Sequence, residues 1–136
     1  MADNYSIVTQ RPNTQYIGGT NTVPGMSVGF VTKPNGVYAE VFVPNTDYNT
    51  GEVNAAVMGM ALIMEELFSF DDASGVAWSQ RVNDSNLLVD QVTIYVESDS
   101  GNSTGSLTVD VVNLGPQLHK PQLDALKATL NATEAA

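Results

Sequence analysis

Gly101-Asn102-Ser103-Thr104-Gly105 has the G-x-S-x-G spacing that sets a nucleophilic serine on a strained turn in serine hydrolases. An acid, Asp110, and the chain's one histidine, His119, follow in the order such a triad uses. The turn has to join a strand to a helix so that the serine stands above a sheet. Here alternating apolar residues continue after Gly105, so the segment reads as a polar hairpin tip and no hydrolase is expected. Asp47 to Glu52 begins like a calcium loop, but its glycine comes one position early. Met58 stands at the twelfth position, where a bidentate Glu is needed. The same residues read better as a helix cap. Glu97 and Asp99, with neighbouring hydroxyls, read as a solvated hairpin tip. Neither Arg11-Pro12 nor Gly18-Gly19 is followed by the lysine and helix of a phosphate loop. His119, beside Lys120 and between Pro116 and Pro121, cannot make a zinc site alone in a chain without cysteine. The expectation is a protein that is not an enzyme, with no catalytic residue, cofactor or metal. Glu65, Glu66, Asp71 and Asp72 are a different case. They gather where negative charge opposes a helix dipole, which marks them either as a contact for basic groups of a partner or as a solvated acidic end.

The balance of the 136 residues narrows the partners. Fifteen Asp and Glu stand against five Lys and Arg, for a net charge of −10. Arg11, Lys33, Arg81, Lys120 and Lys127 are scattered, so nothing can neutralise several phosphates at once, and nucleic acid is not an expected partner. An anionic membrane surface would repel the chain. The absence of cysteine removes disulfides, thiolate metal sites and thiol chemistry. MADNYSIVTQ lacks a basic region followed by an apolar stretch, so no secretory signal is expected. The apolar run 55–64 is half a membrane span. A soluble protein made in the cytoplasm is the resulting expectation.

The elements that must position these residues follow from periodicity. Tyr5 to Arg11 reads as a strand ended by Pro12, and Asn13 to Gly25 as a loop. Met26 to Thr32 and Val37 to Val43 are strands around the turn Lys33-Pro34-Asn35-Gly36. Val37, Ala39, Val41 and Val43 face one side. Asn49 and Glu52 mark a capped helix start, and the helix runs to about Phe70. Val53, Ala56, Val57, Met60, Ala61, Met64, Leu67 and Phe68 fit one face. Ala55, Met58, Gly59, Leu62 and Ile63 leave little of the circumference polar, so the helix needs cover on nearly all sides. One sheet covers one side only; a second layer or a neighbouring subunit is needed for the other. Asp71 to Gly75 breaks the helix. Val76 to Val82, Leu87 to Glu97 and Gly105 to Val112 are strands with period-two patterning, and Trp78 is read as core or interface packing. After Gly115-Pro116, a short helix spans Gln122 to about Leu130, and 131–136 reads as a flexible tail. The fold class is α+β: mostly antiparallel sheet of about six strands, one long apolar helix and a short C-terminal helix, in a single domain over 1–130. The β-β-β-α rhythm occurs loosely twice.

Thr9-Gln10-Arg11-Pro12, Tyr16-Ile17-Gly18-Gly19-Thr20, the Lys33 to Gly36 turn and the strand leading into an apolar helix resemble small virion structural proteins of tailed bacteriophages, over about the first half of the chain. The resemblance implies a head or tail component that works by assembly in the virion after synthesis in the host cytoplasm. Its partners would be the major capsid protein or other virion proteins. A capsid decoration or cement protein is the first expectation, and a tail tube or terminator ring subunit the alternative. A small ligand- or peptide-binding module is the alternative from another class. A homo-oligomer is expected, with Met58, Leu62, Ile63, Glu65 and Glu66 as the candidate interface.

Overall fold

The two alternating halves of the chain fold as two antiparallel three-stranded meanders, each followed by a helix. The computed structural model describes residues 4–18, 21–85, 87–115 and 117–135, and the side chains at 16–18 are not described. β1 (Tyr5–Gly18), β2 (Asn21–Thr32) and β3 (Tyr38–Pro44) form the first sheet in that order. α1 (Thr50–Phe70) follows. β4 (Gly75–Val82), β5 (Leu88–Glu97) and β6 (Thr104–Asp110) form the second sheet, and α2 (Lys120–Ala135) ends the chain. The expected α+β class, six strands and two helices are therefore what the chain adopts.

The strand expected over Gly105 to Val112 stops at Asp110, where the chain enters a single 3-10 turn over Val111–Asn113, and two larger boundaries also differ from expectation. The segment read as a loop over 13–25 is strand: β1 runs through Pro12 to Gly18, and β2 begins at Asn21. Pro12 pairs with Met26 but lies in an edge strand, where a missing N–H on the open side breaks no ladder bond. Pro24 pairs with Thr14 beyond the end of β3, whose pairing with β2 stops at Gly25↔Pro44. The β1–β2 hairpin thus projects past β3 as a two-stranded arm. At the other end, α2 begins at Lys120 and runs to Ala135 rather than stopping near Leu130, so 131–135 is helix and not tail. Parts of three expectations, namely the loop at 19–20, Pro116 in the break before α2 and residue 136 of the tail, lie outside the described residues.

The core sits in two joined clusters. Val28, Phe30, Ala39 and Val43 of the first sheet pack on Val53, Val57, Met60, Ala61 and Met64 of α1. Val92, Ile94 and Val96 of the second sheet pack on Leu123 of α2 and on Leu67, the last buried residue of α1. α1 therefore belongs to both cores. At about 25 cal/mol per Å² of apolar surface, burial of its six inward residues contributes on the order of 10 kcal/mol before chain entropy is subtracted.

Candidate functional site

The outward face of α1 is built by helix geometry alone. Asn49 caps the start, its Oδ1 accepting from the Glu52 N–H at 3.0 Å. Asp72 ends it in the left-handed region (φ 57), where Asp is tolerated, and the Ala73 N–H returns to the Leu67 carbonyl at 3.1 Å. Between these stops every inward turn position is apolar. The remaining arc presents Gly51, Glu52, Ala55, Ala56, Met58, Gly59 and Leu62, all exposed, so Ala56, expected on the buried face, lies on the open one because it falls at the edge of the apolar stripe. Met58 and Leu62 keep 52% and 51% of their surface. Phe70 at the end of the helix is 47% exposed. A surface helix of a globular protein carries charged residues on this arc; here Glu52 is the only fully exposed charge. Gly59 has nothing within 4 Å of where a side chain would start, so no internal packing explains a residue that weakens a helix.

The five residues expected at an interface do not share one role. Met58 and Leu62 lie on the open face, and Ile63 is half-buried beside it. Glu65 turns away to hold the β2–β3 turn. Its carboxylate accepts from the Thr32 hydroxyl at 2.7 Å, from the Asn35 N–H at 3.2 Å and from the Asn35 side-chain amide at 2.6 Å. Glu66 is half-buried and has no hydrogen bond or ion pair among the described residues. A notch of about 360 Å³ opens between the turn and the helix, with Pro34, Leu62 and Phe68 as its apolar walls and Glu66 on its lining. The other two members of the acidic cluster are also engaged. Asp71 is fully buried, and its Oδ2 accepts from the Gln117 N–H at 3.0 Å. Asp72 pairs with Lys120 at 2.8 Å, and that ammonium holds its carboxyl below the usual range.

The serine motif resolves as structure. Ser103 donates to Glu134 at 3.0 Å at one end of β6. Asp110, at the other end, accepts from Gln91 at 3.0 Å and contacts Arg81 at 3.5 Å. Seven residue steps, roughly 23 Å, separate the two. His119 is buried at the start of α2, where its carbonyl accepts the first helical bond from Leu123. Three hydroxyls, from Ser98, Ser100 and Ser103, hold the Glu134 carboxyl below its ordinary pKa and tie the β5–β6 tip to α2. Among the described residues no three His, Asp or Glu side chains gather as a metal would require.

A second concavity, about 490 Å³, follows the seam where β3 and β4 approach. The rings of Tyr38 and Trp78 meet edge-on at 6.1 Å beside it. Gly29 lets the Tyr38 ring cross β2, since any Cβ there would lie 2.5 Å from the phenol oxygen. Tyr38 donates to Glu40 at 2.8 Å, and Glu40 pairs with Arg11 at 2.8 Å. Burial, then Glu40, push the phenol above its ordinary pKa. The groove had no signal in the sequence beyond Trp78, because its two walls come from different sheets. The chain matches no protein-family model, and neither curated proteins nor solved structures contain one significantly similar to it.

Proposed function

We propose that this protein is a non-enzymatic structural subunit of a bacteriophage virion, acting as a capsid decoration or cement protein that docks through the outward face of α1. One observation carries the reading: a 21-residue helix presents an uncovered arc of small and apolar residues where a free-standing protein carries charge. Docking buries that arc. The gain is hydrophobic, while the acidic surface contributes register and rate of association with a basic shell. The virion assignment itself rests on the resemblance of the first half of the chain.

Counting copies of the protein in purified virions by quantitative mass spectrometry tests this. Many copies, in a fixed ratio to the major capsid protein, are expected. A copy number fitting one ring would replace decoration with the tail reading, which the projecting β1–β2 arm favours as a reach toward a neighbour. Absence from particles would overturn both. The seam groove favours a second reading, a small ligand- or peptide-binding module, and this reading predicts chemical-shift changes centred on Tyr38 and Trp78 when a ligand is added.

A further inference from the structure

We infer that the outward face of α1 takes a segment of a different protein, one that carries an apolar side chain for the notch beside Leu62 and a Lys or Arg flank, and not a second copy of this chain. The inference rests on the docking reading above and adds the chemistry of the occupant. Charge decides it. α1 holds Glu52, Glu65 and Glu66 and no basic residue. Glu65 is used internally by Thr32 and Asn35, so Glu52 and Glu66 are the charges left to meet a partner. A second copy brings another −10 and almost no free cation. Arg11 is spent on Glu40, Arg81 on Asp110, Lys120 on Asp72 and Asp124, and Lys127 on Asp99. Among the described residues, Lys33 alone has no ion pair; it stands beside Pro34 of the notch, and this one cation is outnumbered by Glu52 and Glu66 on the face that would meet it. Apposing two copies of this face sets acid against acid around an apolar centre, whereas a basic flank pairs with both acids as the apolar residues close. The surface is also shaped for an elongated occupant. Gly51, Ala55 and Gly59 repeat every fourth residue and let a backbone approach closely, and the notch beyond Leu62 receives one side chain.

The test is an NMR titration with two synthetic amphipathic helical peptides of about 14 residues, four turns each. One has a leucine face flanked by lysines, and the other has the same leucines flanked by glutamates. The lysine peptide is expected to bind, with shifts confined to the outward residues of α1 and the 33–36 turn. Its affinity should fall about tenfold or more between roughly 0.05 and 0.5 M salt. Leu62→Asp should abolish binding. Glu52→Lys with Glu66→Lys should reverse the preference toward the glutamate peptide, and Glu52→Lys alone, at a fully exposed site, should weaken lysine-peptide binding if the double variant does not fold. Equal binding of both peptides, shifts elsewhere on the surface, or α1 signals that move with uncharged zwitterionic vesicles would overturn the inference. So would a concentration-dependent dimer broken by Leu62→Asp, although that result would leave virion assembly standing. Absence from virions would sink the assembly reading without altering the peptide result.

Discussion

At the scale of single residues, the two neighbouring glutamates of α1 separate structure from surface. Glu65 accepts three hydrogen bonds, one from a buried threonine whose own oxygen accepts from the Val37 N–H at 2.9 Å. Glu65→Ala strands that hydroxyl and frees the turn, and should lower stability by about 2 kcal/mol, read as a lower urea midpoint at unchanged slope. Glu66→Ala removes no internal bond and should stay within about 0.5 kcal/mol. Gly59→Ala should raise the stability of the isolated protein by about 0.5–1 kcal/mol, since the site is helical and open. A loss in the same urea experiment would mean that the helix needs glycine there for an internal reason. The sequence placed all five expected interface residues on one helix, and it could not tell the two glutamates apart. Which of them meets Asn35 depends on where a turn thirty residues upstream comes to rest.

At the scale of elements, α2 is a latch over the second sheet. Leu123 is its one fully buried residue, Leu126 and Leu130 pack partly buried on the same core, and polar ties along its length add to that hold. Lys120 pairs with Asp72, Lys127 lies 3.6 Å from Asp99, and Glu134 bonds the serines of the β5–β6 tip. Asp72 is held below the ordinary carboxylate range by Lys120, and Glu134 by the Ser98, Ser100 and Ser103 hydroxyls. Their contribution is therefore present above the unfolded carboxylate pKa and is lost as pH falls through the lower folded values. Lys120 is shifted upward, chiefly by Asp72, so its contribution is complete below the ordinary lysine pKa and fades as pH rises through the folded one. α2 should lose hydrogen-exchange protection before the first sheet does on acidification, after correction for intrinsic exchange, and salt should weaken it at neutral pH. Simultaneous loss across both sheets would show that α2 is not a separable latch. The length of this helix was illegible beforehand because Asn131 and Thr133 are weak helix formers close to the end of the pattern. Asp99 and Ser100, brought in by β5, supply what propensity lacks.

At the scale of the whole molecule, one strongly acidic chain carries one uncovered apolar face, and the two features oppose each other in self-association. Size-exclusion chromatography with light scattering should show a monomer across a wide concentration range at low salt. A discrete ring would instead favour the tail reading and a homotypic use of α1. The architecture was largely legible. Period-two patterning in six segments, a capped apolar helix and two β-β-β-α rhythms determine an antiparallel α+β fold, because local periodicity dictates which face of each element is buried. The same pattern established that α1 is too apolar for one sheet. Whether the excess is hidden by the second sheet or left open depends on the angle at which two sheets meet, a long-range outcome that no local pattern encodes. Only the tertiary structure decided it: Leu67 is drawn into the second core, while Met58 and Leu62 remain in solvent.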